Sequence, residues 1–270
     1  MTSPSTVPPR LHFTENSPIK GLAVAERRVA QPRASVICVH GALDRAGAFA
    51  RLARRLDGFD LVAYDRRGYQ GSRDLKPLGL DFHLDDLSSL VAREAQRLPV
   101  ILFGHSFGGV VTFGVALREF ASVQLVVNYE SPFPWILPRP SSRPPLTNDS
   151  GFEAERFFRR VVSDTAWNRL SEQQRESRRL DGPGLLSDLS TIQRDVAPYD
   201  IAQLKVPSTY VYGDAESADY YRALGVELAK LDSSITTVEM ELAGHSAHLG
   251  NPSQVAELIH HRWDLACASA

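Results

Sequence analysis

The chain is short of cysteine, lysine and long hydrophobic runs. Two cysteines stand among 270 residues, Cys38 within the apolar run 35–39 and Cys267 near the C-terminus. Placed there they read as a small buried hydrophobe and a tail residue, which excludes a disulfide-stapled scaffold. No apolar stretch approaches the roughly 20 residues that a membrane-spanning helix needs. The Pro/Ser/Thr-rich start, Met1 to Arg10, lacks the apolar core of a secretory signal. These absences lead to the expectation of a cytoplasmic protein with no membrane partner. Of 30 basic residues only 4 are lysine, and 32 acids leave a formal net charge of −2. Without a net basic face, nucleic acid is not an expected partner.

What remains is the composition of one globular domain, 43% hydrophobic and 23% charged, long enough to bury a sizeable core. There is no internal repeat. Short β-branched runs alternate with helical patterns, the mark of stacked βαβ units. A hairpin is expected over 11–13 and 22–29, then strands at 34–39, 61–64, 100–103, 123–129, 208–212 and 237–242. Helices are expected near 46–56, 84–97, 109–120, 218–231 and 253–263. The strands are near-continuously apolar, as in a sheet covered by helices on both faces. Ligands of such sheets bind at the carboxyl ends of the strands.

Residues 131–205 break the rhythm. Six of the 17 prolines fall within 15 residues there, and three helical patterns follow, at 152–163, 166–178 and 184–196. A connection of that length without a strand is too long for an ordinary loop. The chain therefore divides into a core, 1–130 with 206–270, and an inserted helical cap, 131–205.

One motif carries chemistry. Gly104-His105-Ser106-Phe107-Gly108 fits G-x-S-x-G, with a strand running straight in and a helix from Gly109 running straight out. A serine on such a turn is strained, with its hydroxyl exposed, and the small neighbours let strand and helix pack closely.

With this motif the chain resembles the α/β-hydrolase superfamily, in its serine-nucleophile, lidded esterase-like branch. His40-Gly41-Ala42 is similar to the family's oxyanion loop. Tyr64-Asp65-Arg66-Arg67-Gly68-Tyr69-Gln70-Gly71-Ser72 is similar to its D-x-R-G-x-G-x-S stretch, and Gly244-His245 to the loop with its histidine. The resemblance implies a mostly parallel α/β sheet flanked by helices, and a nucleophile, acid and histidine in that chain order. Ser106 is the implied nucleophile and His245 the base, with His248 as the alternative. His260 and His261 fall inside a helical pattern.

For the acid, the family's commoner place is Gly213-Asp214-Ala215-Glu216, which offers Glu216 or Asp214. Another branch places it after the strand that follows the elbow helix, where Glu130 stands 24 residues beyond Ser106. Glu130 is favoured because an acid ending the run 125–129 emerges beside the elbow. The Asp214 and Glu216 loop is equally a helix start, where acids suit the dipole.

The expected chemistry is hydrolysis of a small, largely apolar carboxylic ester, thioester or lactone through an acyl-enzyme on Ser106. The N–H groups of Ala42 and Phe107 would hold the oxyanion. Phe133 and Trp135, within five residues of Glu130, are expected to bind substrate, while Phe152, Phe157, Phe158 and Trp167 suit a core of the cap. Arg156, Arg159 and Arg160 read as a solvated face, with contact to an anionic substrate as the alternative. A C–C bond hydrolase, a cofactor-free perhydrolase and a non-catalytic receptor are the competing functions. His245 and His248 stand three apart, but no nearby Cys or carboxylate completes a plausible ligand set, so no metal is expected. There is no Gly-rich phosphate loop after the first parallel strand, so no cofactor is expected. The partner is a small-molecule substrate, and a homo-oligomer is left open.

Overall fold

The computed structural model describes residues 10–139, 146–194, 196–215 and 218–268. Eight strands build one sheet: β1 (His12–Thr14), β2 (Val24–Arg27), β3 (Ser35–Val39), β4 (Asp60–Tyr64), β5 (Val100–His105), β6 (Val123–Tyr129), β7 (Ser208–Gly213) and β8 (Ile235–Met240). Their spatial order is β1-β2-β4-β3-β5-β6-β7-β8. The pairings β1–β2 and β2–β4 are antiparallel, and every other is parallel. This is the expected α/β architecture.

The helices are α1 (Ala50–Ala53), α2 (Leu80–Ala95), α3 (Phe107–Arg118), α4 (Ser150–Val161), α5 (Asp164–Arg169), α6 (Glu172–Arg179), α7 (Gly182–Ile192), α8 (Ala218–Leu231), α9 (Ala247–Gly250) and α10 (Pro252–Ala268). Side chains alternate across a strand, so each buried strand feeds both faces of the sheet. Ile37, Val39, Leu102 and Val126 join α2 residues Leu84, Leu87 and Leu90 and α3 residues Val110 and Phe113 on one face. Val36, Cys38, Ile101, Phe103 and Val127 meet Leu52 of α1 and Val255, Ile259 and Trp263 of α10 on the other. No helix among the described residues is long and apolar enough to cross a membrane.

Between β6 and β7 the described residues hold no strand, only α4 to α7 and a one-turn helix at Ile201–Gln203. Ala154, Phe158, Trp167, Leu185 and Leu189 form a small core of this insertion, closed from the sheet side by Leu43. Phe158 and Trp167 meet edge to face at 5.4 Å. The single helix expected at 166–178 is two. Ser171 accepts from the Gln174 N–H while the Gln174 side chain accepts from the Ser171 N–H, a capping box that begins α6 afresh. The last strand also ends earlier than expected, at Met240, because Leu242 turns to φ 55°.

The elbow between β5 and α3 depends on the absence of side chains. A Cβ on Gly108 would fall on the Val39 carbonyl, and one on Gly109 would fall on the Ser131 hydroxyl. Gly47, by contrast, has nothing within 4 Å of its would-be Cβ. Gly108→Ala should therefore destabilise by about 1–3 kcal/mol or more through overpacking against backbone, whereas Gly47→Ala should be within about 1 kcal/mol of the parent. Urea unfolding of the two variants checks this; equal stabilities would contradict the close packing described.

Candidate active site

Parallel strands end together, so residues that follow β3, β5, β6 and β8 converge on one edge of the sheet. Ser106 follows β5 with φ 52° and ψ −125°, outside the regions that L-residues favour. Its N–H donates to the Tyr129 carbonyl at 2.9 Å, and its own carbonyl accepts from the Gly109 N–H at 2.9 Å. The ladder on one side and the first turn of α3 on the other hold the strained conformation. The side chain is half-buried, and its hydroxyl makes no hydrogen bond among the described residues.

Glu130 follows β6 and is likewise at positive φ, 46°. Its N–H donates to the Val211 carbonyl at 2.8 Å. The carboxylate is 1% exposed, and its Oε1 accepts from the Gly213 N–H at 3.0 Å. Oε2 lies 2.6 Å from Nδ1 of His245. His245 stacks near-parallel on Tyr221 with centroids 6.0 Å apart. The fold thus brings Glu130 and His245 together.

Asp214, one of the alternatives for the acid, does something else. It is exposed and accepts from the Leu242 and Ala243 N–H groups at 2.9 and 3.1 Å, pinning the turn that leads to His245. Those backbone donors, Leu242 first, lower its pKa. Glu216 lies outside the described residues.

His40, Gly41 and Ala42 leave the end of β3 and pass over the elbow, so close that a Cβ on Gly41 would lie 2.9 Å from Ser106 Cβ. Neither the Ala42 nor the Phe107 N–H has an acceptor among the described residues. The Phe107 N–H opens α3, where the helix dipole favours negative charge. His40 Nδ1–H donates to the Gly41 carbonyl at 2.7 Å, and its Nε2 accepts from the Arg66 N–H at 2.9 Å.

Burial, with Arg66 adding to it, pushes the His40 pKa down to about 3. His105 is also driven well below the ordinary range, by burial first and then by His248 and His245. Its Nε2–H donates to the His245 carbonyl at 2.8 Å. His248, the alternative base, points elsewhere: its Nε2 is 3.4 Å from Asp44, and its ring lies 4.4 Å from that of His105. Asp44, His105 and His248 bring one ligand-type atom each within 4.8 Å of one another. The carboxylate that sequence spacing did not supply thus comes from the loop after β3.

The aromatic residues expected to bind substrate divide. Phe133 is wholly buried and stacks on Phe113 at 5.3 Å, with Tyr210 at 6.3 Å. It belongs to the core beside α3, which corrects the expectation: nearness in sequence to Glu130 does not bring a ring to the sheet edge. Trp135 packs half-buried on Phe133 and on Tyr199. Two of the insertion's arginines are engaged locally, Arg156 with Glu153 and Arg159 with Glu155 and Asp164.

Sequence reasoning missed a buried ion pair beside the site. Asp188 of α7 and Arg66 are both fully buried and meet through two contacts of 3.0 and 2.6 Å. Tyr69 donates its hydroxyl to the same carboxylate at 2.6 Å. Burial alone would raise the Asp188 pKa, but Arg66 and His83 outweigh it and hold the carboxylate ionised. An acid on the inward face of an amphipathic helix was the available signal.

A family model described as the alpha/beta hydrolase family matches residues 36–258. The chain is 33% identical over 105 residues to the monoglyceride lipase of Homo sapiens, covering 35% of either chain. It is 33% identical over 96 residues to the monoacylglycerol lipase of Mycolicibacterium smegmatis, covering 32% of this chain and 34% of that one. The matches thus span about a third of these curated relatives. A solved alpha/beta hydrolase from Sphaerobacter thermophilus superposes with a TM-score of 0.66 at 20% identity, over 93% of this chain and 100% of that one.

The buried neutral imidazoles have a consequence for acid stability. A histidine whose folded pKa is lowered contributes fully above its unfolded value, near 6.5, and loses that contribution as pH falls below it. Between pH 6 and 5, where few carboxylates titrate in the unfolded chain, stability should fall by up to about 1.4 kcal/mol per pH unit for each such ring. His40→Gln should reduce the measured slope by about one proton. Denaturant unfolding across that pH range checks this; an unchanged slope would mean that His40 is charged in the fold.

Proposed function

The chain belongs to the alpha/beta hydrolase family, and we propose from that premise that it is a serine hydrolase of carboxylic esters. The observation that carries the reading is the 2.6 Å contact of His245 Nδ1 with a buried carboxylate, on the sheet edge that also holds a serine at φ 52°. A serine hydroxyl is a weak nucleophile until a base takes its proton, and that base must be oriented and stabilised once charged. With Nδ1–H donated to Glu130, the lone pair of His245 is on Nε2, the nitrogen free to serve Ser106.

In the proposed reaction Ser106 attacks the ester carbonyl as His245 takes its proton. The Ala42 and Phe107 N–H groups receive the developing oxyanion; each such donor is worth about 3–4 kcal/mol where it has been removed. The tetrahedral intermediate collapses as His245 returns the proton to the leaving alcohol. Water, deprotonated by His245, then hydrolyses the acyl-enzyme. The Ser106–His245 hydrogen bond absent from the resting site is one that commonly tightens only with substrate bound.

An ester with a largely apolar acyl group suits this reading. The two lipases named above act, by their names, on monoglycerides. The helical insertion, as a cap, would set the acyl preference.

The roles separate in kinetics. Ser106→Ala should lower turnover of p-nitrophenyl esters by up to about 10⁶ and abolish fluorophosphonate labelling. Glu130→Gln should cost about 10³–10⁴ in kcat, because the amide does not hold the required tautomer. Asp214→Asn should cost less than about tenfold: the two backbone N–H groups sit on separate carboxylate oxygens, so the amide keeps one of the two bonds, and the turn is loosened without removing a group of the triad. A Ser106→Ala variant that kept full activity would overturn the nucleophile. The reverse ranking of Glu130 and Asp214 would overturn the acid.

A further inference from the structure

The buried guanidinium of Arg66 does more than neutralise Asp188. Its Nε donates to the His40 carbonyl at 3.0 Å and its Nη2 to the Gly41 carbonyl at 3.1 Å. These are consecutive carbonyls of the loop that passes over Ser106. A trans peptide is planar, with its C=O and N–H pointing in opposite directions. The Gly41 carbonyl shares its peptide plane with the Ala42 N–H. Fixing that carbonyl on Arg66 and on His40 Nδ1 therefore turns the Ala42 N–H to the opposite side, where it has no acceptor among the described residues.

The guanidinium is itself held in place from the insertion. Asp188 takes it by two contacts and is steadied by the Tyr69 hydroxyl and, at 3.4 Å, by His83 Nε2. The rings of Tyr69 and Phe107 face it at 4.9 and 4.8 Å. α7 comes near enough because two glycines meet: a Cβ on Gly68 would lie 3.1 Å from the Gly184 Cα. A second acid, Asp181, binds the same loop through the Gln70 N–H, the Gln70 side chain and Arg73.

We propose that Asp188 of the helical insertion is a positioning residue for the reaction, acting through Arg66 to aim the Ala42 N–H at the oxyanion. The insertion is then part of the catalytic frame: α7 cannot leave the sheet domain without releasing the guanidinium that orients the oxyanion loop. Two members of this chain of contacts are easily mistaken for something simpler. The Arg66–Asp188 pair alone resembles a domain clasp, and the His40 contacts alone resemble loop packing. The shared guanidinium joins them. The inference rests on the serine-hydrolase reading and deepens it.

The test uses three variants of the full chain: Asp188→Asn, Arg66→Lys, and the apolar double replacement Arg66→Met with Asp188→Leu. The first two keep a polar partner in the buried site. The third removes both charges, a change that proteins often accept without loss of fold. Cooperative thermal melting identifies the folded variants. In these, kcat on a p-nitrophenyl ester should fall about 10- to 100-fold while KM stays within about threefold, since the contact acts on the transition state. The inhibition constant of a trifluoromethyl ketone, whose adduct on Ser106 places an oxyanion in the same position, should rise by the same factor.

A clasp with only a structural role would lower the melting temperature and leave both ratios unchanged in the folded variants, which overturns the proposal. Failure of all three variants to fold also overturns it, in favour of a purely structural role. A parent protein that neither turns over the ester nor takes the fluorophosphonate label sinks the hydrolase reading itself. A parent that does both, with variants that match it, sinks only the role of Asp188.

Discussion

Everything at the sheet edge depends on a serine kept in a backbone conformation that it would not adopt alone. A residue at φ 52° costs on the order of 1–3 kcal/mol, and the surrounding structure must supply that stability. It does so with backbone rather than side chains. The Tyr129 carbonyl takes the Ser106 N–H, and the glycines of the elbow bring β3, β6 and α3 into direct contact. The same closeness carries the loop after β3 over the serine. Strain at one residue thus determines how near three neighbouring segments must come.

That nearness leaves little room for water, so each charge brought to the edge needs a protein partner. Two solutions appear side by side. Glu130 is buried and gives one oxygen to a backbone N–H and the other to a half-exposed imidazole, so its charge is directed outward to a group that can exchange protons. Asp188 is buried and spends its charge inward, on a guanidinium that never gives up its proton. The first arrangement suits proton transfer. The second suits holding a shape. Glu130 sits at the end of a parallel strand, where the topology brings it a backbone donor, whereas Asp188 lies within α7.

The sequence made the scaffold legible because the scaffold is local. The elbow motif is five residues between a strand and a helix, and the apolar runs of the central strands are read directly. Even Glu130 could be singled out, since one helix and one strand after the elbow must end beside it in a parallel sheet. Phe133, only three residues further, failed the same reasoning because the chain turns back over α3 and stacks the ring on Phe113. Short separation along the chain predicts a place on the edge, not the direction of a side chain. The capping box at Ser171 and Gln174 was readable and divides a helix that periodicity joined. The contact of Asp188 with Arg66 spans 122 residues, and no periodicity or motif states which helix will meet which loop.

The insertion shows why that long contact matters more than its composition suggested. Its conspicuous arginines pair with acids of the insertion itself: Arg159 and Arg179 share Glu155, and Arg179 also reaches Glu172. Exposed pairs of this kind contribute little each and shape the insertion's surface. The residues that engage the loop after β4 include two aspartates, Asp181 and Asp188, on the short stretch where a glycine of α7 meets a glycine of that loop, while Arg178 donates to the Leu43 carbonyl. A helical cap joined by apolar contact alone could slide or lift, because such contact has no preferred direction. One joined by directed hydrogen bonds to a fully buried guanidinium has a single seat. On the proposed reading, acyl selection and oxyanion geometry are consequently set by the same docking. A change in the insertion that shifts α7 would then alter rate as well as preference, even where no substituted residue touches the substrate.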